Sequence, residues 1–203
     1  MLTAASVQAE TIWNMKIGSD YWWTTNKVDE IKYQGDNSIS AYIDVSHSLP
    51  YVPNFKVRYT QIDNDSMNFN NIDYITYYSV LHTNRIALNV GLSVSQFQGG
   101  NYKEIGMGNG QKFNELEWAF YADGRLLVPS TRLSIIGDMQ FGGTGDNSTA
   151  DVMAGLDYVF NLDSVDFTLR GGYRVMDYSL DYFVGEPIKL REEGFFTGVE
   201  LNF

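Results

Sequence analysis

The chain has no cysteine and only two histidines, His47 and His82. Without cysteine, neither a disulfide framework nor a cysteine-ligated metal site can form. Lysine and arginine together number 14 against 25 aspartates and glutamates, which gives a formal net charge of −11. A nucleic-acid-binding surface must be basic because it faces phosphates. The charge balance therefore excludes nucleic acid as an expected partner.

Long apolar runs are also missing. No stretch of the sequence approaches the ~18 apolar residues of a membrane-spanning helix, so a helical membrane protein is excluded. The first nine residues, MLTAASVQA, lack a basic n-region, yet Val7-Gln8-Ala9 before Glu10 has the form of a signal-peptidase site. We expect residues 1–9 to be a signal-peptide remnant or a disordered amino terminus. Residues 10–203 are expected to form a single domain.

What the sequence does contain is a regular alternation of apolar and polar residues. Ile86, Leu88 and Val90 share one face of a segment whose other face carries Arg85 and Asn89. This period of two predicts β-strands, and ~9–11 residues is the length of a tilted membrane strand. Ten segments follow the pattern: 13–23, 38–47, 54–62, 70–80, 85–97, 113–121, 131–141, 150–160, 165–178 and 193–203.

The two faces of these segments differ in charge. The apolar face is uncharged, and the polar face carries both signs in near balance: Lys16, Asp20, Asp44, Lys56, Arg58, Asp73, Arg85, Glu115, Glu117, Arg132, Asp138, Asp151, Asp157, Asp166, Arg170, Arg174 and Glu200. A lipocalin-like barrel would instead hold its apolar residues inside. Opposite charges can pair inside a closed barrel.

These patterns predict an all-β fold, a closed antiparallel up-and-down transmembrane β-barrel of ten strands. Eight strands are the alternative if residues 63–69 form a bulge and not a turn. The predicted network of charges in the lumen comprises Lys16, Asp44, Arg58, Arg85, Glu115, Glu117, Arg132, Asp138, Asp157, Arg170, Arg174 and Glu200.

Aromatic residues cluster near the predicted strand ends. Tyr21, Trp22 and Trp23 end the first segment, and a second group lies towards the opposite rim: Trp13, Phe160, Phe167 and Phe203. Two interpretations remain open. Aromatic girdles at the membrane interfaces would produce this placement, and so would the ordinary preference of aromatic residues for strands.

The connections between segments fall into two classes. An even number of strands places both termini on one side of the membrane. Short periplasmic turns are predicted at 47–53, 81–84, 122–130 and 161–164. Extracellular loops are predicted at 24–37, 63–69, 98–112, 142–149 and 179–192, where glycine, asparagine and charged residues are common.

The carboxy terminus, Thr197 to Phe203, alternates apolar with polar residues and ends on an aromatic ring. Gly198, Leu201 and Phe203 fill the positions of the closing-strand signal that the outer-membrane barrel-assembly machinery reads. Together with Trp22-Trp23 and the segment 169–174 (LRGGYR), they make the chain resemble small Gram-negative outer-membrane β-barrel proteins of unassigned function. The resemblance implies an outer-membrane location with both termini in the periplasm, and contact with membrane lipid and lipopolysaccharide. It transfers no catalytic residues, and we expect a monomer.

Few residues suggest chemistry. Both histidines map to predicted periplasmic turns, so a hydrolase at the extracellular rim would lack its usual base. Glu115 and Glu117 lie two residues apart on one strand face. They could act as an acid and a base, but ion pairing with arginines such as Arg85 is favoured. No metal-ligand spacing and no cofactor motif is present, so none is expected.

The expected function is therefore non-enzymatic. We predict a barrel whose lumen is filled by ion-paired side chains and whose extracellular loops act in a structural or surface-interaction role. A narrow or gated channel for ions or small solutes is the alternative, because ten strands leave slightly more room than eight. An outer-membrane hydrolase is a distant third.

Overall fold

A computed structural model describes residues 13–28, 31–33, 37–63, 67–102, 115–145, 147–180 and 188–203. The expected amino-terminal remnant, residues 1–9, lies outside these ranges. The strands are β1 Trp13–Val28, β2 Ile31–Tyr33, β3 Asn37–His47, β4 Asn54–Asp63, β5 Met67–His82, β6 Ile86–Tyr102, β7 Glu115–Leu127, β8 Leu133–Gly142, β9 Ser148–Asn161, β10 Asp166–Leu180 and β11 Ile188–Asn202. The described ranges contain no helix that is long and apolar enough to cross a membrane.

The sheet closes on itself. Consecutive long strands pair antiparallel, and β11 pairs with β1 from Lys16↔Asn202 to Val28↔Leu190. Short β2 pairs with the end of β1, so ten strands form the wall. β4 and β5 pair as separate strands as far as Asp63↔Asn68, which excludes the eight-strand alternative. The predicted all-β, closed antiparallel barrel of ten strands is confirmed.

The register sets the width of the barrel. A walk through paired residues that starts at Lys16 crosses every wall strand and returns to β1 at Val28, a stagger of 12 residues. Ten strands spaced ~4.8 Å apart with this stagger tilt by roughly 40° and give a radius of about 10 Å. Side chains projecting from the wall can fill an interior of that width.

Several strands run further than the sequence pattern predicted. β7 continues to Leu127, and the turn expected at 122–130 shrinks to residues 128–132. Asp123 and Arg125 keep the inward alternation, but Ala122 and Gly124 between them carry too little apolar side chain to reveal it. At the opposite end, β1, β6, β10 and β11 extend into segments predicted as loops. Backbone pairing alone can continue a hairpin there without an apolar face.

Inward-facing glycines allow close packing in the lumen. A Cβ atom added to Gly18 would collide with the ring of Tyr42, its partner on the adjacent strand, whose hydroxyl reaches over Gly18 to Glu200. A Cβ atom added to Gly155 would collide with the backbone oxygen of Gly171 on the adjacent strand. Glycine is therefore required at these positions by contact with a neighbouring ring or strand.

The outward face is apolar over most of its height. Leu92 is 50% exposed and Phe120 is 62% exposed, although both lie in the middle of long strands. Trp22 does not fit the girdle interpretation of the aromatic group Tyr21, Trp22 and Trp23, because it points inward and is 1% exposed. The alternation of the strand requires this, because neighbouring residues face opposite sides.

Candidate functional site: the lumen

A buried arginine occupies the middle of the lumen. Arg58, on β4, donates hydrogen bonds through Nε to Asp73 (2.9 Å), through Nη1 to Asp138 (3.1 Å) and through Nη2 to Asp151 (2.8 Å). These carboxylates come from β5, β8 and β9, and all four side chains are buried. One guanidinium group therefore spans the lumen from one side of the wall to the other.

Two further cations extend this cluster. Arg174 contacts both oxygens of Asp151 at 2.9 and 2.7 Å, and its guanidinium carbon lies 5.2 Å from the ring centre of Trp22. Lys56 Nζ lies 3.0 Å from Asp138, whose same oxygen accepts a hydrogen bond from the Tyr121 hydroxyl. We call Lys56, Arg58, Asp73, Tyr121, Asp138, Asp151 and Arg174 the central plug.

A second cluster lies where the barrel closes. Glu200 on β11 accepts a hydrogen bond from the Tyr42 hydroxyl at 2.6 Å and ion-pairs with Arg125 at 3.3 Å. Arg170 lies 3.9 Å from Glu200, ion-pairs with Asp20 at 3.1 Å and also contacts Tyr42. We call Asp20, Tyr42, Arg125, Asp157, Arg170 and Glu200 the seam cluster; within it Asp157 pairs with Arg125 at 2.5 Å.

On the other side of the plug, apolar side chains pack together in the lumen. This layer lies towards the end of the barrel that carries β2 and the longer connections. Phe97 and Tyr178 meet edge to face with ring centres 5.2 Å apart. The layer contains Trp22, Ile62, Phe97, Met176, Tyr178 and Leu190, all at most 4% exposed. The barrel therefore carries a second layer of packed side chains beyond the plug, which also holds the buried carboxylates of Glu117 and Glu192.

The opposite half of the lumen is open. A cavity of about 480 Å³ extends inward from the end where β1 begins, where β11 ends and where the short turns lie, and we call it the vestibule. Asn14 and His82 lie at its mouth, and Lys56, Asp138 and Arg170 form its floor. Beyond the floor, a void of about 20 Å³ beside Trp22 is large enough for a single water molecule.

The structure brings most of the predicted lumenal residues together. Arg58, Asp138 and Arg174 lie in the central plug, and Asp157, Arg170 and Glu200 lie in the seam cluster. Lys16 lies 4.0 Å from Glu200, and Asp44 accepts a hydrogen bond from Tyr77 at 2.6 Å. Glu117 is buried and faces inward at 2% exposure.

Three predicted lumenal residues have a different outcome. Arg85 and Arg132 are exposed in the turns before β6 and β8, which corrects their assignment to the lumen. Each strand begins one residue after the arginine, so no neighbouring strand encloses it. The backbone of Glu115 begins β7, but its side chain lies outside the described residues. Arg85 and Glu117 therefore cannot pair as predicted, since they lie at opposite ends of the barrel.

Both histidines lie at the end with the short turns, as the topology predicted. His47 ends β3, where its Nδ1 accepts a hydrogen bond from the Leu49 amide and its ring meets Trp13 edge to face. His82 ends β5 and borders the vestibule. Within the described ranges, no group of three histidine, aspartate or glutamate side chains is arranged to hold a metal ion.

No family model matches the chain, and no curated protein sequence matches it significantly. Solved structures do match. Neisserial surface protein A (NspA) has 15% identity over 93% of this chain and 97% of that chain, with a TM-score of 0.43. The outer membrane protease OmpT from Escherichia coli has 10% identity over 95% and 96%, with a TM-score of 0.43. The Pseudomonas putida toluene transporter TodX has 10% identity over 96% and 90%, with a TM-score of 0.39. At these identities the likeness concerns the barrel fold alone.

Sequence reasoning missed Arg125 and Asp123 as lumenal residues. Arg125 links Asp157 to Glu200. Both carboxylate oxygens of Asp123 accept a hydrogen bond from the side-chain amide of Asn89 at 3.1 Å. The signal was present in the sequence, because Tyr121, Asp123 and Arg125 continue one polar alternation. Drawing the turn too early at residue 122 concealed it.

Proposed function

We propose that this protein is an integral β-barrel of the Gram-negative outer membrane whose lumen is closed by the central plug. Its role is structural or surface-interacting and is exerted at the end of the barrel that carries the longer connections. The single observation that carries the proposal is the span of Arg58, whose guanidinium contacts three carboxylates from separate strands at 2.8–3.1 Å. A barrel closed in this way leaves its outer surface and its loops as the places where it can act.

The outward face supports a membrane location. Large apolar side chains such as Val90, Leu92 and Phe120 are 41–62% exposed on neighbouring strands. Soluble monomers rarely expose contiguous apolar patches beyond a few hundred Å². Transmembrane barrels carry such a band against the hydrocarbon and turn their polar residues inward. The charged lumen and apolar exterior have this arrangement, which is the reverse of a lipocalin.

The connections support an orientation. The turns at 48–53, 83–85, 128–132 and 162–165 lie at the end where β1 begins and β11 ends, and the connections at the other end include residues 103–114. Outer-membrane barrels have short periplasmic turns and longer extracellular loops. We place both termini in the periplasm, where the barrel-assembly machinery would read Gly198, Leu201 and Phe203.

Epitope insertion tests this orientation. A tag inserted within residues 103–114 should be accessible to antibody on intact cells, whereas a tag inserted between Thr83 and Arg85 should become accessible only after the outer membrane is permeabilised. The reverse pattern of accessibility would show that the barrel has the opposite orientation in the membrane. Absence of either tag from the outer-membrane fraction would refute the location itself.

Conductance in a planar bilayer tests the plug. The wild-type barrel should be electrically silent, and replacing Arg58 and Arg174 by alanine should open a path. That path should favour cations, because Asp73, Asp138 and Asp151 would remain without their arginine partners. Steady conductance in the wild type would refute the closed lumen. Silence in a correctly folded double variant would mean that the apolar layer, and not the ion pairs, closes the barrel.

The second candidate function is a narrow or gated channel for ions or small solutes. The vestibule favours it, since about 480 Å³ of open lumen reaches the floor formed by Lys56, Asp138 and Arg170. A solute that entered from the turn end would have to pass the central plug and the apolar layer. Conductance that appears in the wild type only above a threshold voltage would favour this function over a permanently closed barrel.

A further inference from the structure

Five charged side chains lie close together on the outer surface of the barrel, at the end that carries the longer connections. Outward-facing charged side chains occur at Lys27, Asp177, Lys189, Arg191 and Glu193, which we call the rim cluster. They lie on three adjacent strands, because Lys27 pairs with Arg191 and Arg191 pairs with Asp177. Outward positions at the same end of other strands include the neutral amides Asn37, Gln61 and Gln96.

One carboxylate organises the two cations that contact it. Lys27 Nζ lies 2.9 Å from Oε1 of Glu193, and Arg191 Nη2 lies 2.8 Å from Oε2 of the same residue. Arg191 is 45% exposed along its side chain, so its remaining donors face outward. Exposed ion pairs of this kind contribute little stability. The pairs therefore hold the two cations side by side without consuming their capacity to bind an anion.

An aromatic row lies directly beside the rim cluster on the same outward face. Trp23 pairs with Phe195, Phe195 pairs with Tyr173, and the rings of Tyr173 and Phe195 meet edge to face at 5.1 Å. On β11, Glu193 is the outward-facing residue next to Phe195, towards the loop end of the barrel. Amphipathic rings of this kind mark the boundary between hydrocarbon and headgroups. The rim cluster therefore lies at headgroup depth.

We propose that the rim cluster binds the phosphate of a lipid headgroup in the leaflet at the loop end of the barrel, with the acyl chains of that lipid against Trp23, Phe195 and Tyr173. The inference rests on the proposed membrane location. Charge complementarity selects the occupant, because Lys27, Lys189 and Arg191 outnumber Asp177 and Glu193 in a chain whose net charge is −11. Arginine and lysine together suit phosphate, arginine through paired donors and lysine as a point charge.

Native mass spectrometry of the refolded full chain in detergent micelles tests the site. The probe is bisphosphorylated lipid A, titrated against the wild type and against a double variant, Lys27→Gln with Arg191→Gln. Removing two interfacial cations should weaken retention roughly 30-fold. Arg85→Gln with Arg132→Gln is the matched control, because it removes two exposed cations from the turn end, and it should retain the probe as the wild type does.

A third variant gives an effect of opposite sign. Glu193→Gln removes the carboxylate that a phosphate would have to approach, so retention should increase. If Glu193 had only a structural role, replacing it by glutamine would not increase the retention of lipid A. Millimolar inorganic phosphate should not displace the lipid, since it cannot use the aromatic row.

Several results would overturn the site. They are equal retention in the Lys27 and Arg191 variant, equal loss in the control variant, or displacement by free phosphate. A gel-shift assay of heat-modifiability, run on every variant, shows whether a change in lipid retention comes from misfolding of the variant. Failure of the wild type to insert into phosphatidylcholine vesicles would instead refute the membrane location, regardless of the lipid A retention measured in micelles.

Discussion

Replacing Arg58 by methionine should destabilise the barrel by about 3–5 kcal/mol, which is the usual cost of breaking a buried ion pair by removing one partner. The structure explains why the loss is large. Arg58 is 5% exposed and donates charge-assisted hydrogen bonds to Asp73, Asp138 and Asp151. Methionine fills a similar volume, so the loss comes from charge and not from a cavity. Three carboxylates would remain in the lumen with only Lys56 and Arg174 beside them.

Urea unfolding in lipid vesicles, followed by tryptophan fluorescence and by heat-modifiability on gels, measures this change. Arg58→Lys should fall between the wild type and Arg58→Met, because a single ammonium cannot reach three carboxylates from strands on both sides of the lumen. Arg85→Met is the matched control, since Arg85 is exposed in a turn, and its unfolding free energy should not change. A loss below about 1 kcal/mol for Arg58→Met would refute the reasoning, because it would mean that water already solvates the plug.

Two substitutions and one deletion test separate parts of the fold. Val90→Arg, on the outward face, should cost ~2–4 kcal/mol near the bilayer midplane and impair assembly, and normal yield and stability would reverse the assignment of inside and outside. Deleting Phe203 should slow insertion and lower outer-membrane levels in cells, because it removes the terminal aromatic residue and the backbone bonds to Met15; unchanged levels would argue against its role as an assembly signal. Gly155→Ala should cost about 1–3 kcal/mol in urea unfolding because its Cβ atom would meet the backbone of Gly171, whereas the outward Gly137→Ala should be tolerated.

The sequence predicted the wall of this barrel well because one physical rule governs it. Each strand alternates between lipid and lumen, so the period of two identifies both the strand and its inward residues. Arg58, Asp138 and Arg174 were assigned to the lumen on that basis alone. The same rule, applied residue by residue, would also have placed Trp22 inside, opposite Tyr21 and Trp23.

The strand ends and the partners inside the lumen could not be predicted in the same way. Arg85 and Arg132 continue the alternation of their segments, yet each lies one residue outside its strand. Alternation does not reveal where backbone pairing stops. Nor does it identify which strands meet across the lumen, because that depends on the stagger of the closed barrel. Arg58 contacts Asp138 and Asp151, 80 and 93 residues away, only because closure brings β4 opposite β8 and β9.

The two charged clusters stabilise different parts of the same closure. The central plug joins β4 and β5 to β7, β8, β9 and β10, strands that backbone hydrogen bonds connect only through their neighbours. The seam cluster joins the last strand to three others through Glu200, which contacts Tyr42 of β3, Arg125 of β7 and Arg170 of β10, and Arg170 in turn pairs with Asp20 of the first strand. A shift of β11 by one residue would turn Glu200 outward into the apolar band and break all these contacts. The side chains in the lumen therefore specify the register of the closing strand as well as block the pore.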